Sequence, residues 1–380
     1  MPGPAPTSPL RVVVAGGGVA GLETAFALRH LAPGLVDVTI VAPEDEFTYR
    51  PMAVREPFSY AAARHHPLAG IAAAAGAELL ADTFAWVDPA ARVAHTTLGA
   101  ALPYDALVLA LGTHRLAAFP HATTVDDRAM DESLHGIVQD MEQGYLHRLA
   151  FAMPPGAAWP LPLYELALMT AERANAMCVD VDVTIVTPER APLDAFGTEA
   201  SGAVAALLGA RGISVECNAV ASVPDGRHVV LGPDRRTLEV DRVVALPELR
   251  GPGVRGLPAA EHGFVEVDDH CRVPGVEGIY AAGDATTFPI KHGGLASQQA
   301  DVAARGIARH AGADVEAGPL RPVINGLLLT GREPLYLSAT VVAGSGFRSK
   351  ASTEPLWSPP TKIAALHLAP YLEELERTTA

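Results

Sequence analysis

The chain has 380 residues, 49% of them hydrophobic, with 35 Gly, 32 Pro and a formal net charge of −15. That length suits two or three domains with substantial cores. The negative charge disfavours nucleic acid and anionic membrane surfaces, both of which would repel it, and no apolar run reaches the roughly 18–20 residues of a membrane span.

Residues 1–9 are Pro-rich, with no basic n-region and no apolar h-region, so they do not read as a secretory signal. They read as a disordered lead-in to a cytoplasmic protein. The apolar run Val12-Val13-Val14-Ala15 then predicts a buried parallel strand, and Gly16-Gly17-Gly18-Val19-Ala20-Gly21 follows it directly. In this G-x-G-x-x-G pattern Gly16 allows a tight turn, Gly18 lets the backbone approach a pyrophosphate, and Gly21 lets helix and strand pack closely. The helix from about Ala20 to Leu31 would point its N-terminal N–H groups and dipole at phosphate. A strand over Val36 to Val41 completes a β-α-β unit. The ribose-binding acid expected roughly 20 residues past the last glycine would fall at Ala42, which cannot serve; Glu44 is the nearest substitute.

Tyr104 to Thr113 reads as a strand and a glycine turn at Gly112. A charged helix follows over 131–144. A second α/β unit then begins, with strands at 149–153, 181–187, around Val215 and at 240–245, and helices at 163–176 and 199–211. Tyr280-Ala281-Ala282-Gly283-Asp284 ends another short apolar strand. A lone glycine fingerprint is weak, but the two motifs in this order indicate a flavoprotein.

Cys178, Cys217 and Cys271 form no C-x-x-C pair, and each is expected as a small buried apolar residue. No H-x-x-x-H or Cys/His cluster suggests a metal site. Lysine occurs only at 291, 350 and 362 among 28 basic residues, so a lysine in a motif position carries weight. Near the C-terminus, Pro370 interrupts the apolar run 363–369, and Glu373, Glu374 and Glu376 make the last helix acidic. That favours a packing or dimer-contact helix over a membrane-surface one, while leaving peripheral membrane contact open.

On these motifs, together with Phe47-Thr48-Tyr49-Arg50-Pro51 and Lys291-His292-Gly293-Gly294-Leu295-Ala296, the chain resembles the two-dinucleotide-binding-domain flavoproteins. Within them it is similar to the branch of sulfide:quinone oxidoreductases, flavocytochrome c sulfide dehydrogenase flavoproteins and type II NADH dehydrogenases. The resemblance implies an α/β fold of two Rossmann-like (three-layer ββα) domains, the second inserted in the first. The FAD-binding domain would comprise 10–116 and 250–315, the second domain 117–249, and a C-terminal segment 316–380. It implies FAD held at Gly16, Gly18, Val19, Ala20 and Gly21, with Glu44 on the ribose. The turn at Gly112 and Thr113, and Gly283 and Asp284, would complete that site. Thr48, Tyr49, Arg50 and Pro51 would line the isoalloxazine ring. The helix begun by Gly294, Leu295 and Ala296 would aim its positive end at the flavin N1/C2=O edge, with Lys291 adding a full charge. Glu165 would carry a proton; His292 reads either as a proton relay or as an exposed loop residue, and Trp159, Tyr164 and Trp357 either as lining of a substrate pocket or as core packing.

Two departures bear on function. Where a nicotinamide-using relative would carry a second glycine fingerprint, this chain has Pro154-Pro155-Gly156-Ala157-Ala158-Trp159-Pro160-Leu161-Pro162. Proline removes N–H donors and Trp159 fills space a pyrophosphate needs. The sulfide-oxidising chemistry would use a cysteine pair beside the flavin, yet that loop has none and no Cys follows Cys271. The expectation is therefore an FAD-dependent oxidoreductase that is sulfide:quinone oxidoreductase-like but lacks the redox cysteines. It would pass two electrons from a small donor to a quinone or another acceptor. An NAD(P)H-dependent reductase, of type II NADH dehydrogenase or ferredoxin reductase kind, is the first alternative. A flavin-binding sensor without turnover is the second.

Overall fold

The computed structural model describes residues 8–60, 62–258, 260–342 and 346–379. Residues 1–7 of the expected lead-in lie outside them. Two parallel five-stranded sheets dominate. The first is built from β1 (Leu10–Ala15), β2 (Val36–Val41), β3 (Glu78–Leu80), β4 (Ala106–Leu109) and a later strand, Ile279–Ala281. Its order is Ile279–Ala281, β4, β1, β2, β3, every pair parallel. Val12, Val14, Ala106 and Val108 pack on one face and Val13, Leu107 and Leu109 on the other. Burial on both faces is why these strands read as continuous apolar runs and not as alternating ones. Helix α1 (Val19–Leu31) crosses from β1 to β2.

The second sheet repeats this arrangement. β5 (Thr123–Thr124), α2 (Met130–Glu142), β6 (Arg148–Ala152), α3 (Leu161–Ala176), β7 (Asp182–Val186), α4 (Gly197–Ala210), β8 (Ser214–Glu216) and β9 (Arg242–Ala245) build it, in the order β5-β9-β6-β7-β8. Three-stranded antiparallel meanders lie at 84–103 and 220–239. The two chain crossings between the sheets pair with each other, 114–116 running antiparallel to 248–250. With Ile279–Ala281 numbered β10, the chain closes the first sheet and enters α5 (Gly293–His310), which packs along α1.

The C-terminal segment contains more structure than its sequence suggests. β11 (Val323–Leu328), β12 (Leu335–Val342) and β13 (Gly346–Ser352) form an antiparallel sheet. Gly326 interrupts the β-forming pattern of β11, and the reason is contact: a Cβ there would stand 2.5 Å from the ring of Phe196. The last helix, α6, spans Leu368–Thr379. Pro370 does not end the apolar run, because it sits in the first turn of α6, where a backbone N–H has no intrahelical acceptor to lose. Glu23, wholly buried on α1, accepts the N–H groups of Leu366 and His367 at 2.8 and 2.9 Å and of Leu368 at 2.7 Å. A carboxylate at a helix N-terminus complements its dipole, and here it docks α6 onto α1. No helix among the described residues is long and apolar enough to cross a membrane.

Candidate active site

A cleft of about 470 Å³ opens at the carboxyl ends of the first sheet and runs under the second. Its floor is the turn after β1. Gly16 holds φ at +119°, and a Cβ on it would meet the Ala110 carbonyl oxygen at 2.2 Å; a Cβ on Gly21 would meet the Gly16 oxygen at 1.9 Å. Gly18 caps α1 with no side-chain hydrogen bond, leaving the first-turn N–H groups to the cleft. Gly16, Gly18, Val19, Ala20, Glu44, Arg50, Pro51, Gly112, Thr113, Gly283, Asp284 and Ala296 all line it, as do Glu165, Lys291 and His292.

Other expected residues lie elsewhere. Gly21 is behind the lining and packs against Gly16. Tyr49 turns away: its hydroxyl accepts the Ile363 N–H at 2.8 Å, and burial pushes its pKa up to about 12. Leu295 belongs to the core, and Gly293, not Gly294, meets the cleft. Of the three aromatics read as either pocket lining or core packing, Trp159 lines the cleft and the other two do not. Tyr164 is fully buried and donates to Glu189 at 2.6 Å, and Trp357 donates to the Thr361 carbonyl and meets Tyr336 edge-on.

The charged residues expected at the site fall in two places within the cleft. Around Asp284, whose burial raises its pKa, lies Lys291. The Lys291 ammonium donates to the carbonyls of Thr286 and Phe288 and sits 4.2 Å from the centroid of the Phe264 ring. Desolvation lowers it to about 8. Lys291 therefore braces the turn that carries Asp284 and does not project alone into the cleft. His292, expected as an exposed loop residue or a proton relay, is buried at the start of α5. Its Nδ1 accepts from the Leu295 N–H at 3.3 Å, its ring also bonds the backbone of Asn325, and it meets Trp159 at a tilt of 43° with centroids 4.3 Å apart. Burial depresses it to about 4, so it is neutral at pH 7.

The second place is the end under α3. Glu165 is completely buried, and its Oε2 lies 2.7 Å from the Nζ of Lys362 while Oε1 accepts the Leu329 N–H at 2.9 Å. Burial drives both toward neutrality, Glu165 up and Lys362 down, and their mutual attraction opposes it. Sequence reasoning found Glu165 but missed Lys362; its only signal was the scarcity of lysine. Lys362 and Ile363 bring the C-terminal segment into the lining, Arg115 brings in the crossing strand 114–116, and Asp127, Arg128 and Met130 bring in the turn from β5 to the start of α2.

None of the three cysteines lines the cleft. Cys178 is exposed and Cys217 half-buried, contrary to the expectation that all three are buried; Cys271 is buried and its thiol is pushed up to about 12. At the carboxyl ends of the second sheet, where the matching crevice would lie, Trp159 packs on Phe196, their centroids 5.6 Å apart. Glu189, just past β7, is held by Tyr164 and by the Thr187 hydroxyl at 3.0 Å.

Paired Rossmann-like sheets with a glycine-floored cleft on the first define a dinucleotide-type oxidoreductase. The chain belongs to the pyridine nucleotide-disulphide oxidoreductase family, which matches residues 10–143 and 165–306. It is 28% identical over 362 residues to the NADH dehydrogenase-like protein Rv1812c of Mycobacterium tuberculosis, covering 88% of this chain and 86% of that one. It is 26% identical over 258 residues to the sulfide-quinone reductase of Aquifex aeolicus, covering 64% of this chain and 59% of that one. Among solved structures, the sulfide:quinone oxidoreductase of Aquifex aeolicus superposes with a TM-score of 0.81 at 20% identity, over 90% of this chain and 87% of that one. A ferredoxin reductase from Rhodopseudomonas palustris gives 0.65 at 19% identity, over 87% and 82%.

Proposed function

We propose that the protein is an FAD-dependent oxidoreductase that moves two electrons from a small non-nicotinamide donor to a quinone or another acceptor, without a redox cysteine pair. The observation that carries this is the contrast between the two sheets. At the first, the turn Gly16–Gly18 leaves room for a diphosphate, Glu44 lines the same cleft, and so does Asp127, one of whose carboxylate oxygens is buried with no partner among the described residues. These residues fit a dinucleotide flavin. At the second, four prolines and Trp159 replace the glycine turn, and Glu189, the acid past β7, is already hydrogen-bonded inward. The family match also leaves out 144–164, which contains that loop.

Bound there, FAD would supply a reversible two-electron carrier. The chain's own groups would set its surroundings. The N-termini of α1 and α5 would place positive dipole ends along it. Asp284, braced by Lys291, would accept from its hydroxyls. Trp159 over His292 would exclude water at the far end. The buried acid and base Glu165 and Lys362 line the cleft as a pair, so they would hold or deliver the proton that accompanies electron transfer. Cytoplasmic location is part of the same reading.

The test is an anaerobic titration of the flavin absorbance near 450 nm with NADH, NADPH and sulfide in parallel. Slow or absent bleaching by both nicotinamides is expected. Rapid bleaching by micromolar NADH would replace this reading with a nicotinamide-dependent reductase, which the NADH dehydrogenase-like relatives favour. Bleaching by sulfide would identify the donor and require a route without cysteine.

A further inference from the structure

Three metal-ligating side chains meet where α6 docks, and none of them lines the cleft. Glu23 lies on α1, Asp301 on α5 and His367 just ahead of α6. One oxygen of each carboxylate and one ring nitrogen of His367 all lie within 4.8 Å of one another. No sequence motif marks the group, because its members come from elements far apart in the chain.

Asp301 carries the atom that needs explaining. Its Oδ1 is buried with no partner among the described residues, and that same oxygen faces the His367 Nε2 at 3.8 Å. The distance is too long for a hydrogen bond. Burial, His30 and Arg305 all lower the His367 pKa, so the imidazole is neutral at pH 7 and makes no ion pair there. Glu23 adds a second carboxylate beside the first. Burial pushes Glu23 up, and burial together with Glu23 pushes Asp301 up, with Arg305 opposing.

A buried oxygen without a partner calls for an ion or a water. A neutral imidazole beside two carboxylates is a ligand set for a divalent transition metal. Zinc holds such ligands at about 2.0–2.2 Å, which sets them roughly 3.3–3.6 Å apart in a tetrahedron. Small side-chain rotations bring this cluster to that size. Glu23 can join without releasing α6, because its Oε2 accepts a single N–H, from Leu368, and has a lone pair to spare. Asp301 and His367 are partly exposed, which leaves a route of entry.

We propose that Glu23, Asp301 and His367 form a structural site for a divalent transition-metal ion, zinc by its ligand set, that ties α1 and α5 to the start of α6. The ion would neutralise both carboxylates; in a chelator, protonation takes its place.

The test uses the full chain, stripped with EDTA and then titrated with Zn2+ or Mg2+, reading stoichiometry, Kd and melting temperature. One Zn2+ per chain is expected to bind, raise the melting temperature and slow hydrogen exchange over 366–372, while Mg2+ does neither. Asp301→Asn and His367→Gln keep the size of the side chain. Each is expected to weaken Zn2+ at least roughly a hundredfold, since even partners outside the ligand set are worth 10–100-fold. Cys178→Ser, which removes the exposed thiol, is expected to change nothing. Melting curves in EDTA show that each variant is folded, and either one alone decides the matter. Wild type that binds no stoichiometric Zn2+, or folded variants that bind it as tightly as wild type, would overturn the site. An equal response to Mg2+ would overturn its assignment to zinc.

Discussion

The carboxylate of Glu165 and the ammonium of Lys362 meet at 2.7 Å with both side chains almost wholly out of water, 6% of Lys362 and none of Glu165 being exposed. Each is the other's condition for being buried. Removing one charge of such a pair costs about 3–5 kcal/mol, because the survivor is left uncompensated. Lys362→Met should therefore lower the melting temperature sharply, and adding Glu165→Gln should restore most of it. A double variant no more stable than the single one would mean the two charges are not coupled.

Asp301 gives a pH prediction. Burial and the nearby Glu23 raise it to about 7, with Arg305 opposing. His367 lies 3.8 Å away and is depressed by burial, His30 and Arg305. A carboxyl with a raised folded pKa binds more protons folded than unfolded, so its contribution to stability is present at low pH and is lost as pH climbs from about 4 to about 7, at up to about 1.4 kcal/mol per pH unit. The depressed His367 acts the other way below its ordinary value. Asp301→Asn should remove the first effect, so that the variant gains on wild type as pH rises to 8. Parallel melting curves for the two proteins between pH 5 and 8 would count against the assignment.

Gly21→Ala places a Cβ 1.9 Å from the Gly16 carbonyl oxygen. Backbone must shift at the turn itself, so FAD retention should fall by at least an order of magnitude, in line with one or two lost charge-assisted contacts, while the second sheet melts as before. Purified variant with full flavin content would argue that the turn does not hold the cofactor.

Glu23→Gln keeps the shape of the side chain and removes the charge that faces the first N–H groups of α6. The loss should be about 1–2 kcal/mol, as for a carboxylate at a partly buried helix N-terminus. Hydrogen exchange should quicken over 366–372 and stay unchanged over β1 and β2. Uniform exchange along both proteins would show that apolar packing alone, Tyr371 against Phe26 included, docks the helix.

The first unit was legible because its signals are local. Val12–Ala15, Gly16–Gly21 and Tyr280–Asp284 each encode a strand end and a turn in a few consecutive residues, and the structure joins them at one cleft. The C-terminal sheet was not legible. β11 is β-forming only when Phe196, far away in sequence, fills the place of the missing Gly326 side chain. His292 reads as a loop residue because nothing nearby reveals the bonds from Leu295 and Asn325 that bury it. Tyr49, Tyr164 and Trp357 have the composition of a pocket wall, yet their polar atoms find backbone or carboxylate partners that point them elsewhere. Lys362 and Arg128 were invisible as site residues for the same reason: their segments carry no fingerprint and reach the cleft only through tertiary contacts.

The separation of Glu165 and Lys362 by 197 residues also orders the protein's birth. On the ribosome, α3 emerges with its glutamate long before the lysine that balances it has been polymerised. Until Lys362 arrives, the helix must keep that carboxylate wet or protonated, since burial without its partner would disfavour the charge. Closure waits for Lys362. A nascent chain stalled before residue 362 should thus be soft at the flavin end even where both parallel sheets are already formed.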